Sequence, residues 1–138
     1  FKSDQLQKSL SYLRWTADKI SNERGMEALY LLAEANYLLK DYVNAEKLHN
    51  ELMNRKPMDA VWMGRSFILQ AKVFMAVDDL FQAEQTINIV IEKYPNSDDG
   101  IKEEAQSVKE EILQLKETPK DVEDNINRMI DMNDEDNE

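Results

Sequence analysis

Apolar residues in this chain recur at intervals of three and four, and strict alternation is not sustained in any stretch. That is the period of one face of an α-helix, so an all-α fold is expected and a β-rich one is excluded. Leu6, Leu10, Leu13, Ala17 and Ile20 predict an amphipathic helix over residues 4–21, with Tyr12 and Trp15 off its stripe. Leu29, Leu32, Ala33 and Asn36 predict one face of a second helix, and Ala45, Leu48 and Leu52 one face of a third. Ile101, Ala105, Val108, Ile112 and Leu115 form the buried side of another, whose opposite side is Glu, Lys and Gln. Ser97, backed by Asp98 and Asp99, is its expected cap. The three Gly and three Pro are expected between these stretches. The most apolar segment, Val61 to Val77, carries Arg65, Gln70 and Lys72, so no membrane span is expected.

Two segments repeat. Ala33 to Ala45 aligns with Ala71 to Ala83 and Pro57 with Pro95, each pair 38 positions apart. Each unit reads as a helix, a short turn at Asp41-Tyr42 or Asp79-Leu80, and a second helix closed by Pro. Alanine at 33, 45, 71 and 83 lets two helix backbones approach closely. The expected architecture is an α-solenoid of antiparallel helical hairpins with a 38-residue period. A half repeat lies at 4–22, repeats at 24–57 and 58–95, a capping helix at 97–117, and an acidic tail at 118–138.

These residues resemble the tetratricopeptide repeat (TPR): a small residue, an often aromatic one three on, then Asp-Tyr-x-x-Ala, then Pro. Ala33, Asp41, Tyr42, Ala45 and Pro57 match in the first unit, and Ala71, Phe74, Asp79, Ala83 and Pro95 in the second. Lys40 and Asp78 stand where the family has a turn Gly, Asn36 stands at the aromatic place, and the period exceeds the family's ~34 by about one helical turn. Trp62-x-x-Arg65-Ser66-Phe67-Ile68-Leu69, followed by Phe81-Gln82-Ala83-x-x-Thr86, is similar to large bacterial TPR proteins of the cell envelope. That resemblance implies a protein-interaction scaffold on the periplasmic side.

Composition narrows the function classes further. The 138 residues carry a net charge of −11, which repels phosphate backbones, so nucleic acid is not an expected partner. There is no Cys, hence no thiol chemistry and no zinc-thiolate site. The chain opens at Phe1 without an initiator Met, and is read as a piece of something longer. Its truncated N-terminal end, with Tyr12 and Trp15, is a surface for an upstream repeat or for self-association. His49 is a lone helical histidine, expected to be an ordinary surface or packing residue. Asp78-Asp79 and Asp98-Asp99 read as turn and cap residues, and Asp131-x-Asn133-x-Glu135 lacks the Gly of a calcium loop. No enzyme activity, metal or cofactor is expected.

What remains is the face formed by successive first helices, with candidate binding residues Tyr30, Glu34, Tyr37, Arg65, Ile68, Lys72 and Met75. Two charge rows are expected across it, Glu27/Arg65/Glu103 and Glu34/Lys72/Glu110. Either they are weak surface ladders that set repeat register, or Arg65 and Lys72 meet a partner's carboxylates while Tyr30, Tyr37 and Met75 give apolar contact. The family's carboxylate clamp needs Lys and Asn where this chain has Tyr30 and Glu34, which disfavours a chaperone-tail receptor. Trp62 reads equally as a wedge between hairpins or as an anchor. The expected function is a non-enzymatic scaffold for a protein or extended peptide; the alternative is a purely structural stack whose binding repeats lie upstream.

The tail carries eight acids against Lys120 and Arg128. Thr118 as cap, Pro119 at the first helical position, Asp121 beside it, and Val122, Ile126, Met129 and Ile130 on one face predict a short helix near 119–131. That segment is read either as a disordered solubilising tail or as a helix docked in cis on Arg65 and Lys72.

Overall fold

A computed structural model describes residues 2–135. The fold is all-α, and no strand occurs among the described residues. Six helices follow one another: α1 (Lys2–Lys19), α2 (Glu23–Leu38), α3 (Tyr42–Met53), α4 (Ala60–Ala76), α5 (Leu80–Lys93) and α6 (Ile101–Glu135). Short polar side chains start most of them. Asn22 accepts from Arg24 N, Asp41 from Asn44 N, Asp59 from Trp62 N and Asp79 from Gln82 N, at 3.0–3.2 Å. Before α6 the role falls to Asp99, which accepts from Ile101 N at 3.2 Å, rather than to Ser97. The reason is local. Gly100 takes φ 82°, a left-handed conformation open to glycine, and Asp99 is anchored by the hydroxyl of Tyr94. That hydrogen bond holds the Asp99 carboxyl below its usual range.

Gly25 and Gly64 lie inside α2 and α4, and Pro119 inside α6, not between helices as their distribution led us to expect. Close approach explains both glycines. A Cβ on Gly25 would stand 1.8 Å from the Ile20 carbonyl oxygen, and one on Gly64 would stand 2.9 Å from the Tyr94 ring.

Each helix packs on the next, and α4 also touches α2 and α6. The α2–α3 and α4–α5 turns are built alike. Lys40 and Asp78 take φ 63° and 62°, and the N–H of the following Asp reaches back to Asn36 O at 2.8 Å in one turn and Phe74 O at 2.9 Å in the other. Ala33, Ala45, Ala71 and Ala83 are all fully buried. One apolar cluster joins α4, α5 and α6 through Ile68, Ile87, Val90, Tyr94, Val108 and Ile112; a second joins α1, α2 and α3 through Ala17, Met26, Ala28, Leu29 and Leu52. Arg14 of α1 ties down α3 by bonding both carboxylate oxygens of Glu51, at 2.6 and 3.0 Å, and it also pairs with Asp18. Tyr12 and Trp15 are exposed and stack on each other, with centroids 6.3 Å apart.

The largest departure concerns the C-terminal end. α6 runs unbroken through residue 118, so the helix expected near 119–131 is a continuation of the one before it. The apolar stripe keeps one phase on both sides: Leu115 and Ile126 are eleven residues apart, about three helical turns. Among the described side chains of α6, however, Ile112 is the last buried one, and Leu115 is exposed rather than packed. Ile126, Met129 and Ile130 are exposed as well, so this segment is not docked on Arg65 and Lys72. The side chains of Thr118, Pro119, Asp121 and Val122 lie outside the described residues. No helix among the described residues is long and apolar enough to cross a membrane.

Candidate functional site

The face shared by α2, α4 and α6 carries three adjoining depressions. The first, about 380 Å³, lies among Tyr30, Leu31, Trp62 and Arg65 with Glu27 and Glu104 at its sides. The second, about 240 Å³, shares Tyr30 and Glu34 with the first and extends to Tyr37 and Lys72 over a floor of Ile68 and Leu69. The third, about 390 Å³, continues from Tyr37 and Lys72 to Met75 and Glu111. All seven sequence-predicted residues line this track. Ile68 differs in kind: it is buried in the core and forms floor, not an exposed contact.

Helix geometry explains the assembly. Tyr30, Glu34 and Tyr37 follow at i, i+4 and i+7 on α2, and Arg65, Ile68, Lys72 and Met75 hold the matching stripe on α4. Trp62 combines its two expected roles. It is half-buried against the α1–α3 cluster, lies 5.6 Å from Tyr30 at a tilt of 44°, and forms a wall of the first depression.

The expected charge rows form differently. Lys72 Nζ lies 3.5 Å from Glu104, and among the described residues no carboxylate stands within ion-pair distance of Arg65. The Arg65 guanidinium instead covers the Trp62 ring, 4.8 Å from its centroid. Glu104 and Glu111 line the track where Glu103 and Glu110 were expected. The 38-residue offset does not carry over to α6. α5 is two residues longer than α3, and the α5–α6 connection, Tyr94 to Gly100, is one residue longer than the α3–α4 connection, Asn54 to Asp59, so α6 begins 41 positions after α4, at Ile101 against Ala60.

Negative charge collects around Tyr30. Its hydroxyl donates to Glu34 at 3.0 Å. Burial first, then Glu34 and Glu104, push the phenol above its usual range, and Arg65 alone opposes them.

No family model, curated protein or solved structure matches the chain. The site therefore stands on its own geometry.

Elsewhere, polar chemistry is structural. His49 of α3 is buried, 2.7 Å from Ser66 Oγ and edge-on to Phe67 at 5.1 Å. Burial lowers its pKa to about 4, so the ring is neutral at pH 7. Gln70, one turn beyond Ser66, is also buried, and its Oε1 has no partner. An apolar pocket of about 260 Å³ between α4 and α5, bounded by Met63, Phe67, Ile89 and Tyr94, was not anticipated from the sequence. Among the described residues no group of three or more His, Cys, Asp or Glu is placed to hold a metal ion.

Proposed function

We propose that the chain is a segment of a TPR-type α-solenoid with a 38-residue unit, acting as a non-enzymatic scaffold that holds a protein or extended peptide along the α2–α4–α6 face. The two matching turns, 38 positions apart at Lys40/Asp78 and Asp41/Asp79, support the repeat. The binding role rests on one observation: the three depressions share residues end to end, giving a continuous track walled by Tyr30, Trp62, Tyr37 and Met75. Such a track suits an extended segment better than a compact small molecule. A bacterial envelope setting rests on the sequence resemblance alone.

The test is capture of a partner by the full chain and by a variant carrying Tyr37→Glu and Met75→Glu, two half-buried positions on the track. Loss of capture with an unchanged helical spectrum supports the scaffold. Equal capture places the binding surface off this face, and no capture by either protein favours the second reading, a purely structural stack in which Lys72 on Glu104 and Arg65 on Trp62 are internal contacts.

A further inference from the structure

We propose that the segment held on this face is basic, with a lysine or arginine side chain entering the first depression between the Tyr30 and Trp62 rings and the carboxylates of Glu27, Glu34 and Glu104. The proposal rests on the face being a peptide track, and it reverses the sign of partner that Arg65 and Lys72 suggest in the sequence alone.

Charge along the track decides the sign. Four carboxylates line it, Glu27, Glu34, Glu104 and Glu111, against two cations, Arg65 and Lys72. The two cations differ in how they are held: Lys72 has a carboxylate partner, and Arg65 is exposed with none within ion-pair distance among the described residues. Lys72 is paired with Glu104, and Arg65 lies against Trp62 with the acids of the first depression around it. An acidic segment could meet Arg65, but it would then sit beside Glu27, Glu34 and Glu104, which outnumber that cation in the first depression. A basic one substitutes for a cation in a role the site already accommodates. The Lys72–Glu104 pair is a third to a half exposed, and such pairs hold with only about 0–1 kcal/mol, so a competing cation displaces it readily.

Shape supports the same occupant. Lysine and arginine join an apolar stem to a charged end. The first depression matches that division, with Leu31, Tyr30 and Trp62 as apolar walls and Glu27, Glu34 and Glu104 at its polar margin. Arg65 over Trp62 is a resident example of cation and ring in contact there. At longer range the net charge of −11 draws cationic segments toward the chain, more strongly at low salt.

Diffuse attraction has to be separated from recognition, so the test compares equal charge changes at two places. Fluorescently labelled short peptides of lysine and alanine, and of glutamate and alanine, are titrated with the full chain and followed by anisotropy. The variants are Glu34→Gln with Glu104→Gln on the track, and Glu46→Gln with Glu92→Gln at exposed sites away from it. The lysine peptide is expected to bind, to weaken about tenfold with the track pair, and to change little with the distant pair. Equal weakening by both pairs overturns the proposal, because attraction is then to net charge alone. Binding of the glutamate peptide in preference, lost with Arg65→Gln and Lys72→Gln, overturns the sign while leaving the track reading intact. If no peptide responds to the track pair or to Tyr37→Glu with Met75→Glu, the track reading itself fails and the proposal with it.

Discussion

Around α5, ten buried residues between Ile68 and Ile112 make one continuous apolar cluster; around α2 the corresponding cluster has five, and half-buried residues pack against both, Phe67, Phe74 and Ile91 on the first and Leu13, Leu48 and Trp62 on the second. Both sides carry polar links, Arg14 on Glu51 and Asp18 with Arg55 on the Ile20 carbonyl at 3.3 Å in one half, and Tyr94 on Asp99 with Lys116 on Glu84 in the other. Between the two clusters runs a buried polar seam, His49, Ser66 and Gln70. The contrast teaches that equivalent turns need not give equally cohesive hairpins. What fills the space between helices decides how firmly each half is held.

The strongest way to break that contrast is to open a cavity in each half. Ile112→Ala, at a site with no exposure, is expected to cost about 2–5 kcal/mol in chemical denaturation. Leu52→Ala should cost less, because the cluster around it has half as many fully buried members to lose contact with. Equal losses would show that the two clusters are equally cohesive.

Acid tests the seam. His49 binds its proton less readily folded, with a pKa of about 4, than at its ordinary 6.5. Between those values the unfolded state holds more protons, so stability falls as pH drops from about 6.5 to about 4 and is flat above that window. The expected loss is on the order of 3 kcal/mol. His49→Gln should remove this slope. The lowered carboxyls of Asp18, Glu51 and Asp99 contribute at lower pH, as each is protonated below its ordinary range. A variant that keeps the slope would exclude His49 as its source.

Overpacking gives a smaller effect. Ala71→Leu, at the contact of α4 with α5, is expected to lower stability by about 1–3 kcal/mol, and an unchanged denaturation midpoint would contradict the close approach described for this alanine. The smallest effect belongs to the polar links. Glu51→Gln should cost about 1 kcal/mol or less, since Arg14 and Glu51 are each about two-fifths exposed, and the difference should shrink further in high salt.

The helices and their buried faces were legible because apolar spacing and turn residues are local signals: Ala33, Ala45, Ala71 and Ala83 and the turns at Asp41 and Asp79 could be read without tertiary information, whereas the cap at Asp59 was not read. The track was legible in its α2 and α4 walls for the same reason. Its third wall was not. Assigning α6 by the 38-residue offset ignored the longer α5 and the longer connection before α6, and selected Glu103 and Glu110 in place of Glu104 and Glu111. Nor does periodicity say whether a stripe finds a partner, which is why Leu115 was expected in the core. Gly64 illustrates a third kind of blindness. Its reason is the Tyr94 ring thirty positions away, and a pattern that scores glycine as punctuation cannot see it.

The length of α6 has a mechanical consequence. Beyond Ile112, the last buried residue among its described side chains, the helix continues for about 35 Å to Glu135. A lever of that reach turns a tilt of about 5° at its base into a displacement of about 3 Å at its tip. The base carries Glu104 and Glu111, two side chains of the track, so a segment that draws those carboxylates inward would swing the far end measurably. A pair of fluorophores, one on the exposed outer side of α3 and one near Arg128, would report occupancy of the face as a change in distance at a place the ligand never touches.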